Sequence, residues 1–140
     1  MSLPFAILLS ALLGLQLPEK WQCRGDLVPI SKEDLQQVPT SKLKASMVTC
    51  AIPHLPSGVD AKGTVVVEVQ VDEQGSVRCA RAVSGHPIVR TAAVEAAMKW
   101  KFKPLKIWDR ARPFKSVLPV VVHWDAEVAA KQCPEEKRKS

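Results

Sequence analysis

The sequence predicts an α+β fold: a small three-stranded antiparallel sheet in β-β-α-β order, with one alanine-rich helix packed on a face. Three observations predict it. Val65, Val67, Val69 and Val71 alternate with Thr64, Val66, Glu68 and Gln70, the period of two expected of a strand with one buried face. Asp72, Glu73, Gln74 and Gly75 follow as a turn signal, and a second apolar run returns over residues 76–83. Val89, Ala92, Ala93, Ala96, Ala97 and Trp100 then fall at spacings of three and four, one stripe of a helix.

Taken in order, the first 18 residues carry no charged side chain. Their apolar stretch is too short to span a bilayer comfortably, which takes about 20 residues. It has the length of the apolar region of an export signal, and an uncleaved anchor is the alternative. Residues 19–46 form an N-terminal arm. Within it Ser31, Lys32, Glu33 and Asp34 resemble a capping box that opens a short helix to about Gln37. Between residues 39 and 56 lie three prolines and a mixed apolar run, read as a short helix or an extended arm leading into the core.

The hairpin occupies residues 63–83. Gly75 suits a left-handed turn position, where a side chain would clash. A bulge near Cys79 lets Ala80 and Ala82 face the core beside a closely packed helix. That helix begins at Ser84, Gly85, His86 and Pro87, the proline preset for a first turn. Four alanines on its buried face bring its backbone close to the sheet, and Trp100 and Phe102 supply the bulk they lack. Pro104 ends the segment. A loop of about eight residues leads to the last strand, residues 113–124, rich in valine. Pro119 inside it removes a backbone donor, which suits an edge strand or a bulge. The strand is read as an edge unpaired on its outward side, and the alternative is a strand that only completes the sheet, its free edge covered by a tail. Residues 126–140 read as a charged, frayed tail.

At 140 residues, 46% hydrophobic and 24% charged, the chain is one domain with tails, and wholesale disorder is excluded. The net charge of +6 is concentrated. Seven cations, Lys99, Lys101, Lys103, Lys106, Arg110, Arg112 and Lys115, face the single acid Asp109 in that stretch. The cysteines at 23, 50, 79 and 133 fit two disulfides in an exported chain, and free buried thiols are the alternative. Three pairings are open. The expectation leans to Cys50 with Cys79, flanking one hairpin, which leaves Cys23 with Cys133. No cysteine or histidine spacing suits a metal, so neither metal nor cofactor is expected. His54, His86 and His123 fall at a turn, a helix start and a strand end, with no nucleophile, base and orienting group assembled. No catalytic residues are assigned, and His86 reads as a helix cap.

The order strand, turn, strand, Ser84-Gly85, Ala92-Ala93, Ala96, then Trp100, Phe102 and Pro104 resembles the C-terminal domain of the TonB family of energy transducers. Pro53 and Pro56, Gly63, Val65, Asp72, Gly75 and Val77 also match, so the resemblance spans roughly residues 53–124, within a domain placed at residues 47–125. The chain departs from the family at Leu55, where tyrosine is usual, at residues 57–60, where an alanine-arginine pair is missing, and at Arg90 and Thr91, where an acid often stands.

The resemblance implies a periplasmic module that grips a short peptide of an outer-membrane transporter by adding it as a strand. Inner-membrane motor proteins become partners only if residues 1–18 stay as an anchor. Val117, Leu118, Val120, Val121, Val122 and His123 are the expected docking edge, since an edge strand offers free N–H and C=O groups to an extended peptide. Homodimerisation through the same edge is open. The alternative working surface is the basic cluster, binding an anionic polymer or lipid headgroup of the envelope with no transport role. Nucleic acid is not an expected partner.

Overall fold

The computed structural model describes residues 20–139. The expected export signal or anchor at residues 1–18 lies outside them. Among the described residues, no helix is long and apolar enough to cross a membrane.

The centre of the molecule is the expected hairpin and last strand. Strand β4 (Lys62–Val71) pairs antiparallel with β5 (Val77–Ser84) on one side and with β9 (Phe114–His123) on the other. The β4–β9 register runs unbroken from Lys62↔His123 to Val71↔Phe114. Strict alternation follows: Val65, Val67, Val69 and Val71 are fully buried, as are Val120 and Val122 on the facing strand. Helix α2 (Pro87–Met98) covers that face, with Val89, Ala92, Ala93, Ala96 and Ala97 all buried against it. His86 caps it, its Nδ1 accepting from the Ile88 N–H at 3.3 Å.

The bulge near Cys79 is present. Gln70 pairs with Cys79 and Val71 with Val77, so Arg78 is the extra residue, and Ala80 and Ala82 face Val69 and Val67. At the turn, Gly75 has a φ of +86°, and a Cβ there would stand 1.9 Å from the Phe102 carbonyl oxygen. The Phe102 N–H donates to the Gly75 carbonyl at 2.9 Å, which ties the hairpin turn to the aromatic seam.

Several expectations are corrected. Among the described residues the sheet has five strands, not three: β1 (Gln22–Cys23) lies outside β5, and β2 (Gln36–Gln37) lies outside β9. These outer pieces are two residues each, too short for a period to show in sequence. A second sheet joins Met47–Ala51 (β3), Lys101–Phe102 (β6) and Arg138–Lys139 (β10), with β3 in the middle. The helix expected to run from Ser31 to about Gln37 is a single 3-10 turn, Lys32–Asp34, followed by β2. Ser31 Oγ bonds the Glu33 carboxylate instead of a backbone N–H, so the capping box does not form. Between Pro39 and Pro56 the chain makes both a helix, α1 (Thr40–Ala45), and a strand, β3.

The loop expected before β9 is a hairpin, β7 (Leu105–Ile107) with β8 (Arg110–Arg112). The tail expected to fray after Trp124 instead makes helix α3 (Ala126–Ala130), buries Ala129 and Cys133, and returns as β10.

The disulfides also differ from the pairing favoured by sequence. Cys23 bonds Cys79, and Cys50 bonds Cys133. Cys23 and Cys79 stand directly opposite across the β1–β5 ladder. Cys50 belongs to the other sheet, where the returning C-terminal segment brings Cys133 to it. Both bridges therefore fasten the terminal segments to the central domain. On chain entropy alone, loops of 56 and 83 residues are each worth about 4 kcal/mol.

Candidate functional site

The site begins with the direction in which each residue of β9 points. Val121 turns its backbone groups away from β4, and the period of two gives Val117, Pro119 and His123 the same direction. Pro119 therefore lacks its N–H on the side where no β4 carbonyl waits, which explains how a proline sits within the unbroken β4–β9 ladder. The side chains of Val117, Pro119, Val121 and His123 are half-buried on the face opposite α2. Leu118, Val120 and Val122 point the other way. Their side chains are core, at 2%, 0% and 0% exposed, so they present nothing to a guest and serve only to hold the strand.

The outward side of β9 is not bare, and the expectation of an unpaired edge is corrected. Its N-terminal end carries β2 in parallel, Gln36 opposite Phe114 and Gln37 opposite Lys115. The Val38 N–H donates to the Lys115 carbonyl at 2.9 Å, and Ser116 Oγ donates back to the Val38 carbonyl. Thr40 Oγ1, at the start of α1, donates to the Val117 carbonyl. Farther along, the Gln132 carboxamide closes on Val121 from both sides. Its Oε1 accepts from the Val121 N–H at 2.9 Å, and its Nε2 donates to the Val121 carbonyl at 2.7 Å. Short intramolecular caps thus take the places that a neighbouring strand would fill. No signal in the sequence marks Gln132 for this role, because it depends on the course of the chain after Trp124.

The N-terminal arm crosses the sheet by a similar device. The Gln70 carboxamide, 1% exposed as a residue, accepts from the Ile30 N–H at 2.8 Å and donates to the Ile30 carbonyl at 2.9 Å. Arg24 reaches Asp72 at 2.9 Å, and Glu68 is paired with Arg81 at 2.9 Å. Burial alone would raise the Asp72 carboxyl. The Arg24 guanidinium and the N–H groups of Ser76 and Gln74 outweigh it and hold the group below its ordinary value.

The seven cations of the basic cluster do not form one surface. Lys99 and Lys101 line a shallow cavity with Lys137 and Arg138. Lys106, Arg110 and Arg112 lie on the β7–β8 hairpin, with Lys103 before it. The Lys115 ammonium donates to the Lys32 carbonyl at 2.8 Å. Among the described residues, no cluster of three or more histidines, cysteines, aspartates or glutamates is placed to hold a metal. His54 and His123 share the lining of one surface pocket with Ser57, Asp60 and Trp124, and neither histidine hydrogen-bonds Ser57 or Asp60 among the described contacts.

Comparison with known proteins agrees with the fold. No curated protein matches the chain, and no solved structure does. Residues 59–121 match the family model described as the Gram-negative bacterial TonB protein C-terminal. That span runs from just before β4 to the Val121 that Gln132 caps, and so takes in the hairpin, α2 and nearly all of β9. Residues 59–121, and with them the architecture built around β4, β5, α2 and β9, are thus similar to the C-terminal domain of the TonB family.

Proposed function

We propose that this chain is a periplasmic TonB-type module that captures an extended peptide of an outer-membrane transporter by strand addition on β9, with Val117, Pro119, Val121 and His123 as the reading positions. The observation that carries the reading is β2. A short extended segment of the chain already lies in register along the outer side of β9, so this edge pairs with extended backbone. Past Val117 it is held by a glutamine side chain rather than by a strand.

A main-chain hydrogen bond is worth about 1 kcal/mol net. A guest that displaces Gln132 regains those two bonds and can add a few others at the outward backbone groups of Pro119 and His123. Affinity then depends on side chains packing against Val117, Pro119 and Val121, which makes binding selective rather than general for extended chains. Engagement of an inner-membrane motor would rest on residues 1–18 acting as an anchor.

The test is a peptide array of periplasm-facing segments from outer-membrane transporters, followed by titration of the hits. Amide shifts at Val117, Val121 and His123, little weakened by added salt, are the expected outcome. Shifts confined to the basic residues and abolished by salt would overturn the reading.

A further inference from the structure

We propose that the tip of the β7–β8 hairpin docks on the anionic surface of a phospholipid bilayer, with Trp108 as the interfacial anchor. Ile107 pairs with Arg110, so Trp108 and Asp109 form a two-residue loop. Their φ angles are +54° and +62°, the left-handed pair that such a loop requires. Asn-Gly is the usual solution, because left-handed backbone crowds a large side chain. Tryptophan is among the poorest choices there, yet it occupies the apex at 94% exposed, the most exposed large hydrophobic residue among those described. Packing cannot account for it, since it contributes to no core.

Its surroundings name the partner. Every residue of β8 is exposed, as is Lys106. Among the described residues, none of Lys106, Arg110 and Arg112 has an ion-pair partner. The apex thus offers an amphipathic ring collared by three uncompensated cations against the one acid Asp109. Tryptophan settles at the headgroup level of bilayers, and nearby Lys and Arg gain from anionic lipid. A single ring on a projecting apex lacks the row of aromatic platforms and the basic groove that a linear polyanion requires. This surface is separate from the β9 edge, and the inference does not rest on the peptide-binding reading.

The test is sedimentation of the full chain with vesicles of phosphatidylcholine alone and of phosphatidylcholine mixed with phosphatidylglycerol. Preferential binding to the anionic vesicles, with a blue shift of tryptophan emission, is expected. Arg110→Ala with Arg112→Ala should weaken partitioning by roughly 30-fold, about fivefold for each cation removed. Trp108→Asn, which keeps a residue tolerant of the left-handed turn, should weaken it by about tenfold and abolish the blue shift. Equal binding to both vesicles overturns the proposal, as does binding unchanged by Trp108→Asn. Complete competition by soluble polyphosphate with no blue shift would instead assign the surface to a free polyanion.

Discussion

The carboxamide of Gln132 and the backbone of Val121 form a reciprocal pair, 2.9 Å for the N–H donated by Val121 and 2.7 Å for the amide it receives. One side chain thereby imitates a single residue of a neighbouring strand. It satisfies the outward N–H of β9 between Pro119 and His123. The remaining amide hydrogen of Gln132 goes to the Ala129 carbonyl at 2.9 Å, which holds the group to the end of α3.

Removing this cap should open the edge. Gln132→Ala is expected to strengthen binding of a transporter-derived peptide by about tenfold, two hydrogen bonds no longer having to be displaced. It should also speed hydrogen exchange at the Val121 amide. Val121→Pro deletes the outward donor while leaving the β4–β9 ladder in place, and should abolish peptide binding with the fold retained. Unchanged affinity in both variants, measured by titration, would remove β9 as the docking strand.

The residue after Gln132 is Cys133, bonded to Cys50 on β3. The bridge therefore anchors the segment that carries the cap. Cys50→Ser with Cys133→Ser should cost up to about 4 kcal/mol of unfolding free energy. It should also raise hydrogen exchange at Val121 before the fold is lost. The matched change at Cys23 and Cys79 should destabilise the domain comparably without that local effect, since β1 lies on the opposite edge. Equal exchange at Val121 in both variants would separate the bridge from the cap.

The acid dependence of stability should follow Asp72. Its carboxyl is held below the ordinary carboxylate value, against burial, because Arg24 and the Ser76 and Gln74 N–H groups favour the charged form. A lowered folded value means that the native state binds fewer protons than the unfolded one. The stabilisation is therefore present above the unfolded value and is lost as pH falls through the folded one. Asp72→Asn should flatten the stability profile in that acid window. At neutral pH, Asp72→Ala should cost about 1 kcal/mol by removing the acceptor of the Gln74 and Ser76 N–H groups at the partly exposed turn. Urea melts at a series of pH values measure both.

What could be read from sequence follows from which forces have a period. The valines of β4 and the alanines of α2 are ordered by burial, which repeats every two or every three to four residues, so the hairpin, the helix and the bulge near Cys79 are legible. Pro119 also reveals the direction of β9, because a missing donor is visible in sequence. The rest is decided by contacts between distant segments. Gln36 and Gln37 are strand only because β9 lies beside them. Cys23 meets Cys79 only because the arm crosses β5, and Gln132 reaches Val121 only after α3 reverses the chain. Trp108 and Asp109 conceal their turn by lacking the glycine or asparagine that would announce it. The basic run looks continuous along the chain, yet its members alternate between elements that face different ways.

That concealed turn yields the last prediction. Asp109 holds a φ of +62° without the freedom of glycine, and it contributes the one negative charge on the hairpin apex. Asp109→Gly should stabilise the protein by up to about 1 kcal/mol, since glycine takes the left-handed conformation at no steric cost and turns the pair toward a favoured sequence. The same change removes the acid beside Trp108, so anionic vesicles should bind more tightly while neutral ones do not. A structural role for Asp109 predicts the opposite sign for stability. Thermal melts run beside the vesicle titration therefore distinguish a strained turn kept for its tryptophan from an ordinary loop, and a loss of stability in Asp109→Gly would refute the strain.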